Sequence, residues 1–279
     1  MATEESVHVF ECAGESLVGL LARPSDRMAP HGVLMVVGGP QYRVGSHRQF
    51  LLLSRHLAAA GFPVMRFDYR GMGDSTGEHR DFEAIQDDLQ AALDVFFRDV
   101  PQIRTVTLWG LCDAASANLF FAPGDRRITG LVLLNPWVRT PQGEARARVK
   151  HYYVERLASR DFWHKIFSGH FHFLSSLRSF CGAITGMRKP SPTGVAALPL
   201  PDRMLASLEQ FSGRVLLILS GRDLTAQEFS DTVSASPRWQ AALARPDCTQ
   251  HRLEEADHTF SRKEWRDQVA RWTTEWLGP

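Results

Sequence analysis

The segment Thr105-Val-Thr-Leu-Trp-Gly-Leu-Cys-Asp-Ala-Ala-Ser116 constrains this chain more than any other. It opens on β-branched residues, passes through Gly110-Leu111-Cys112-Asp113-Ala114 and continues as a helix start toward Phe121. Strand, sharp turn and helix, with small residues two places either side of a nucleophile type, is the layout of a nucleophile elbow, Gly-x-Ser-x-Gly. Here Cys112 stands at the Ser position and Ala114 at the second Gly. Such a turn forces its central residue into an unfavourable backbone conformation and lifts the side chain above the sheet edge. Bulk at the flanking positions would strike the neighbouring strand and helix. Gly110 avoids that collision and Ala114 nearly so. The helix that follows aims its N-terminus at the thiol, where its partial positive charge favours a thiolate and an oxyanion. Taken alone, Gly-x-Cys-x-Ala also describes a buried structural cysteine at a strand end.

The rest of the chain supplies a context. Residues 7–25 carry two apolar stretches joined at Ala13-Gly14-Glu15, a hairpin signal. His31–Val37 is a continuous apolar run of the kind found in buried parallel strands. It runs into Gly38-Gly-Pro-Gln41, and a helix is expected from Ser46 as N-cap, with Phe50, Leu53 and Leu57 inward. Pro63–Asp68 is the next strand. A long helix is expected over about 81–98, with Ile85, Leu89, Leu93, Val95 and Phe96 inward. Ile128–Asn135 is another buried strand. Strands and helices alternate at βαβ lengths, so a mostly parallel sheet with helices on both faces follows.

Residues 139–210 break the alternation. Arg146–Arg188 is helical in composition, rich in aromatics and more basic than acidic; Lys189–Gly194 and Leu198–Pro201 suggest an extended linker. The βα pattern resumes at Gly213–Gly221, with a last strand near Thr249–Leu253 and a closing helix over about 262–277. The expected organisation is a core of 1–138 and 211–279 with a helical cap, 139–210, inserted between two sheet strands. At 279 residues the length fits one large domain or a domain with an insertion.

A thiol nucleophile needs a base, and the base needs an orienting carboxylate. Asp223 follows the strand ending near Leu219, and His258 follows the last strand. In an open parallel sheet the loops at the carboxyl ends of strands share one crevice. Cys112, Asp223 and His258 can therefore converge, in the order nucleophile, acid, histidine. Asp223 could instead cap the helix starting at Leu224. Asp257 is a rival acid, but adjacency to His258 points the two side chains apart. The oxyanion hole is expected from the backbone N–H of Asp113 and one N–H of the 38–41 loop. Pro40 has none, which leaves Gly39 or Gln41, and Gln41 is favoured. Tyr42, Leu111 and Trp137 are the candidate substrate contacts.

Asp68-Tyr-Arg-Gly-Met-Gly-Asp-Ser75 lacks the Lys-Ser/Thr of a phosphate-binding P-loop, and is expected to be a structural crossover with Arg70 paired to a carboxylate. Gly169-His-Phe-His-Phe173 has no carboxylate or Cys at ligand spacing, so neither metal nor other cofactor is expected. A net charge of +1 argues against a general nucleic-acid binder, and no apolar run is long enough for a membrane span. The acidic N-terminus lacks a signal-peptide core, which makes a cytoplasmic location the expectation. The basic, aromatic cap suits a solvated face, or an acyl chain with a phosphopantetheine or phosphate head, or a membrane surface.

With these elements placed, the chain resembles an α/β-hydrolase over essentially its whole length. More narrowly it resembles the family called exosortase A system-associated hydrolase 1. Gly38–Phe50, Phe67–Ser75, Gly110–Ser116, Leu131–Val138 and Ala256-Asp-His258 carry the resemblance. It implies an α/β-hydrolase fold, bacterial origin, a Cys112–His258–Asp223 triad and a link to exopolysaccharide and exosortase systems. Cys112 and Ala114 depart from the wider superfamily pattern, which turns expectation away from ordinary ester or lipase chemistry. The expected activity is acyl hydrolysis or acyl transfer through a thioester on Cys112. The expected partner is a small-molecule acyl substrate, free or carried on CoA or a carrier protein. A non-catalytic scaffold on the same fold, and a Cys-dependent lactone-type hydrolase, are the rival readings.

Overall fold

The computed structural model describes residues 3–39, 41–138 and 198–278. The helical reading of Arg146–Arg188, the linker at Lys189–Gly194 and the Gly169–Phe173 stretch lie outside these residues. Residues 1–138 and 204–279 form one compact unit, and residues 139–203 fall outside it.

The described strands are β1 (Thr3–Cys12), β2 (Glu15–Pro24), β3 (His31–Val36), β4 (Val64–Asp68), β5 (Thr105–Leu111), β6 (Ile128–Leu134), β7 (Arg214–Ser220) and β8 (Cys248–Leu253). They form one eight-stranded sheet in the order β1-β2-β4-β3-β5-β6-β7-β8. β1 and β2 make the expected hairpin, with Cys12 opposite Glu15, and β2 runs antiparallel to β4. Every pairing from β4 onward is parallel. The result is the mostly parallel sheet that the alternation of apolar runs demands.

The helices are α1 (Gln49–Ala59), α2 (Gln86–Asp99), α3 (Asp113–Phe121), α4 (Leu200–Gln210), α5 (Leu224–Ser234), α6 (Pro237–Leu243) and α7 (Lys263–Leu277). Phe50, Leu53 and Leu57 of α1 and Val269, Ala270 and Trp276 of α7 bury one sheet face with Val33, Met35, Trp109, Val132 and Ile218. Phe50 meets Trp109 edge-on at 5.5 Å. On the opposite face Phe96 of α2 fills the space over Gly32, where an added Cβ would lie 2.7 Å from the ring. Apolar burial of this extent, at about 25 cal/mol per Å², is the main term holding the layers together.

Three local expectations are corrected. Ser46 does not cap α1. Its N–H and hydroxyl both donate to Oε1 of Gln41, at 2.9 and 3.0 Å, and the next two residues take positive φ (His47 53°, Arg48 59°). Helical geometry cannot pass through such residues, so α1 starts at Gln49. Asp81 caps a short 3₁₀ turn, Phe82–Ala84, by accepting from the N–H of Glu83, and α2 proper begins only at Gln86. Leu198–Pro201 is not wholly a linker: α4 starts at Leu200, with Pro201 in its first turn, where a missing N–H costs nothing. Met204, Leu205 and Leu208 of this helix are buried.

The loop after β4 behaves as the crossover expected. Arg70 donates Nε and Nη2 to the two carboxylate oxygens of Asp88, each at 2.8 Å. Asp68, fully buried, accepts from the N–H of Arg43 at 2.6 Å, from the N–H of Asp74 at 3.2 Å and from the Arg43 guanidinium.

Candidate active site

β5 ends at Leu111 and α3 begins at Asp113, so Cys112 alone makes the turn. Its backbone sits at φ 64°, ψ −125°, a strained conformation for any residue with a Cβ. Surrounding bonds hold it there. The Cys112 N–H donates to Leu134 at 2.8 Å, its carbonyl accepts from the N–H of Trp137 at 3.2 Å, and the Ser116 hydroxyl donates to the Trp137 carbonyl at 2.7 Å. A Cβ on Gly110 would lie 2.6 Å from Asn118 and 2.8 Å from the Ala114 backbone, which is why this position must be glycine. The thiol is half-buried at the start of α3.

Asp223 lies three residues past the end of β7 in extended conformation and caps α5. Its carboxylate accepts from the N–H of Thr225 at 3.3 Å and of Ala226 at 3.0 Å. The same carboxylate lies 2.9 Å from Nδ1 of His258, which donates to it. Cap and histidine partner are therefore one residue doing both. The exits of β7 and β8 are strapped together: Gly221 N–H donates to Leu253 at 2.8 Å and Arg222 N–H to Ala256 at 3.0 Å. A Cβ at Gly221 would come within 2.1 Å of the Glu254 carbonyl, so glycine allows this approach. Asp257 turns away, accepting from the N–H of Ser261 at 2.9 Å and from its hydroxyl.

His258 also hydrogen-bonds Cys112. With Nδ1 on Asp223, Nε2 is the nitrogen left for the thiol. Burial alone would push the imidazolium down; the hydrogen bonds to Asp223 and Cys112 and their charges outweigh it and hold His258 up to about 10. The sequence-predicted Cys112, His258 and Asp223 thus meet at one point, from three strand exits.

Asn135 is a residue the sequence reasoning did not assign. At φ 44° it donates Nδ2 to the Ser220 hydroxyl at 2.7 Å and to the His258 carbonyl at 3.1 Å, and its Oδ1 accepts from the N–H of Ser220 at 2.9 Å. It ties the exits of β6, β7 and β8 together and fixes the histidine loop. An Asn closing an apolar strand just before Pro136 was the available signal.

In the loop after β3 both candidate donors have protein partners. The Gln41 N–H donates to the Gly39 carbonyl at 2.8 Å, closing a turn on itself. The Gly39 N–H donates to Oδ2 of Asp113 at 3.0 Å. Of the candidate substrate contacts, Leu111 is 2% exposed and packs in the core beneath the elbow. Tyr42 is exposed and lines a surface cleft with Arg43, Met72 and His79. Trp137 is half-buried beside the elbow, its N–H on Cys112. No cluster of three metal-ligating side chains occurs among the described residues, and none of their helices is long and apolar enough to cross a membrane.

A nucleophile-type residue on a strand–helix elbow, with an acid and a histidine delivered by later strand exits of one parallel sheet, is the site layout of the α/β-hydrolases. The family model described as "Alpha/beta hydrolase family" matches residues 33–272, and the chain belongs to that family. No curated protein matches the sequence. Among solved structures, the Pyrococcus furiosus esterase Pf2001 is similar at TM-score 0.67 and 15% identity, over 99% of this chain and 90% of that one. A dienelactone hydrolase from Anabaena variabilis is similar at TM-score 0.63 and 16% identity, over 99% and 97%. A Xanthomonas campestris protein described as an α/β serine hydrolase without lid follows at 0.57 and 18%, over 100% and 98%. At these identities the likeness is one of fold.

Proposed function

We propose that the chain is an acyl hydrolase or acyltransferase that works through a thioester on Cys112, with His258 as base and acid and Asp223 as its orienting carboxylate. One observation carries this reading: the His258 imidazole bonds Asp223 at 2.9 Å on one side and the Cys112 thiol on the other. His258 already holds the proton of the thiol, in keeping with its raised pKa of about 10. The sulfur attacks the acyl carbonyl carbon, a C–S bond forms, and the carbonyl electron pair moves onto oxygen. The oxyanion collapses, expelling the leaving group, which takes the proton from His258. Water, or an acceptor alcohol or amine, then gives a proton to His258, attacks the thioester and frees Cys112.

Cysteine in place of serine shapes the substrate class. A thiolate is a strong nucleophile near neutral pH but also a good leaving group. Attack on an unactivated oxoester tends to collapse backwards, whereas thioesters and other activated acyl groups go forward. The proposed donor is therefore an acyl thioester carried on CoA or a carrier protein. The resemblance to exosortase-associated hydrolases supports a setting in exopolysaccharide systems.

The test is intact-protein mass spectrometry after incubation with acetyl-, butyryl- and octanoyl-CoA, for wild type and Cys112→Ala. The expected result is one acyl adduct in the wild type and none in the variant. Adding amine or alcohol acceptors then separates transfer from hydrolysis. No adduct with any donor would overturn the reading, and a Cys112 that iodoacetamide does not alkylate in the folded protein would turn it toward a scaffold.

A further inference from the structure

An N–H group that could receive an oxyanion, that of Gly39, is already taken by a carboxylate of the protein itself. The Asp113 side chain folds back over the start of α3. Its Oδ1 accepts from the N–H of Ala114 at 2.9 Å, and its Oδ2 accepts from the N–H of Gly39 at 3.0 Å. Asp113 N–H and Gly39 N–H are the pair that a tetrahedral intermediate on Cys112 would use: one from the residue after the nucleophile, one from the loop after β3. Gly38 is built around this arrangement. A Cβ there would lie 2.1 Å from Oδ1 of Asp113 and 3.0 Å from the Ala114 nitrogen. The glycine that lets the oxyanion loop pass α3 is thus the glycine that leaves room for the carboxylate.

We propose that the Asp113 side chain is an internal plug of the oxyanion hole, and that acylation of Cys112 requires this carboxylate to leave the Gly39 N–H group. The inference rests on the acyl-enzyme reading above. Its physical basis is electrostatic. Donors stabilise a transition state when they already point at the place where charge develops. Donors held by a carboxylate must first be released, and a carboxylate remaining nearby repels the new oxyanion. Burial already pushes the Asp113 carboxyl up, an effect its backbone hydrogen bonds only partly offset. The consequence is selectivity. A small ester that touches little beyond the thiol does not displace the plug. A larger acyl donor can, provided its remaining contacts favour the displaced position of Asp113.

The experiment compares wild type, Asp113→Asn and Asp113→Ala in two reactions at Cys112. One is acylation by p-nitrophenyl acetate and by octanoyl-CoA, followed by intact mass. The other is alkylation by iodoacetamide, which forms no oxyanion and so reports access to the thiol and its reactivity. Freeing a donor should speed acylation by p-nitrophenyl acetate about tenfold or more in Asp113→Ala, given that one oxyanion donor is worth about 10²–10³ in rate. Alkylation should change far less. Asp113→Asn, which keeps an acceptor for Gly39 but no charge, should fall between. The gain should be smaller for octanoyl-CoA. A ratio of acylation to alkylation that is unchanged or lowered in both variants would overturn the plug and leave the acyl-enzyme reading standing. No acylation in any of the three proteins, with alkylation intact, would overturn both.

Discussion

Two loops at the carboxyl ends of neighbouring strands each bury a carboxylate, and they treat it in opposite ways. Around the loop after β4, Asp88 of α2 receives the Arg70 guanidinium on both oxygens and the Arg70 N–H besides, and Asp68 at the end of β4 receives Arg43. At the exits of β3 and β5, Asp113 has only backbone N–H groups for partners and takes part in no ion pair among the described residues. A buried carboxylate is expensive unless paired. The first loop meets that cost with arginine and gains rigidity. The second leaves a charge that can be moved or neutralised without breaking a salt bridge. The difference separates a structural crossover from a site whose donors must change partners.

The largest effect should come from unpairing the first loop. Arg70→Ala leaves Asp88, which is fully buried, without its counter-charge. Removing one partner of a buried pair costs about 3–5 kcal/mol. For a chain of this size that lowers the melting temperature on the order of 10 °C. A loss below about 1 kcal/mol in urea unfolding would mean the crossover is not held by this pair.

The next effect concerns His258, the partner of Asp223. Its folded pKa is raised to about 10. A raised histidine contributes stability that is full below its unfolded value, about 6.5, and is lost as pH rises through the folded value. His258→Gln should therefore melt below the wild type by a constant margin up to about pH 6.5, and the margin should close toward pH 10. Discounted for the one-third exposure of the ring, the margin is about 2 kcal/mol. Proton NMR of the ring gives the direct check: an imidazole titrating near 6.5 contradicts the bonded arrangement.

The contrast between the loops also explains what a sequence reveals. Cys112 and its small neighbours were legible because the elbow imposes spacing along the chain. Asp223 and His258 were legible because strand exits converge in a parallel sheet. The Arg70 pairing was legible too, since a lone arginine in a glycine-rich crossover needs an acid. What stayed hidden depends on contacts through space. Nothing local says that Gln41 spends its N–H on Gly39 and its side chain on Ser46, or that Asp113 reaches back to a loop far upstream. The burial of Leu111 was readable in principle. It shares strand parity with Trp109, and both lie in the same core cluster.

The smallest effect tests the comparison most sharply, because the two loops predict opposite signs. Asp88→Asn removes the charge that compensates Arg70 and should destabilise. Asp113→Asn removes a buried charge that has only N–H partners, and the amide oxygen can still accept from Gly39. The Asp113 carboxyl is raised in the folded chain, so its ionised form works against folding. That penalty is absent at pH values below the unfolded carboxyl range and grows as pH rises through the folded value. At pH 7 Asp113→Asn should therefore be neutral or stabilising by up to about 1 kcal/mol, and the difference should vanish as the buffer is taken toward pH 3. Thermal melts of both variants across pH 3–8 supply the check. Should Asp113→Asn destabilise at pH 7 as much as Asp88→Asn does, its carboxylate is a strut like the other, and the distinction between the two loops collapses.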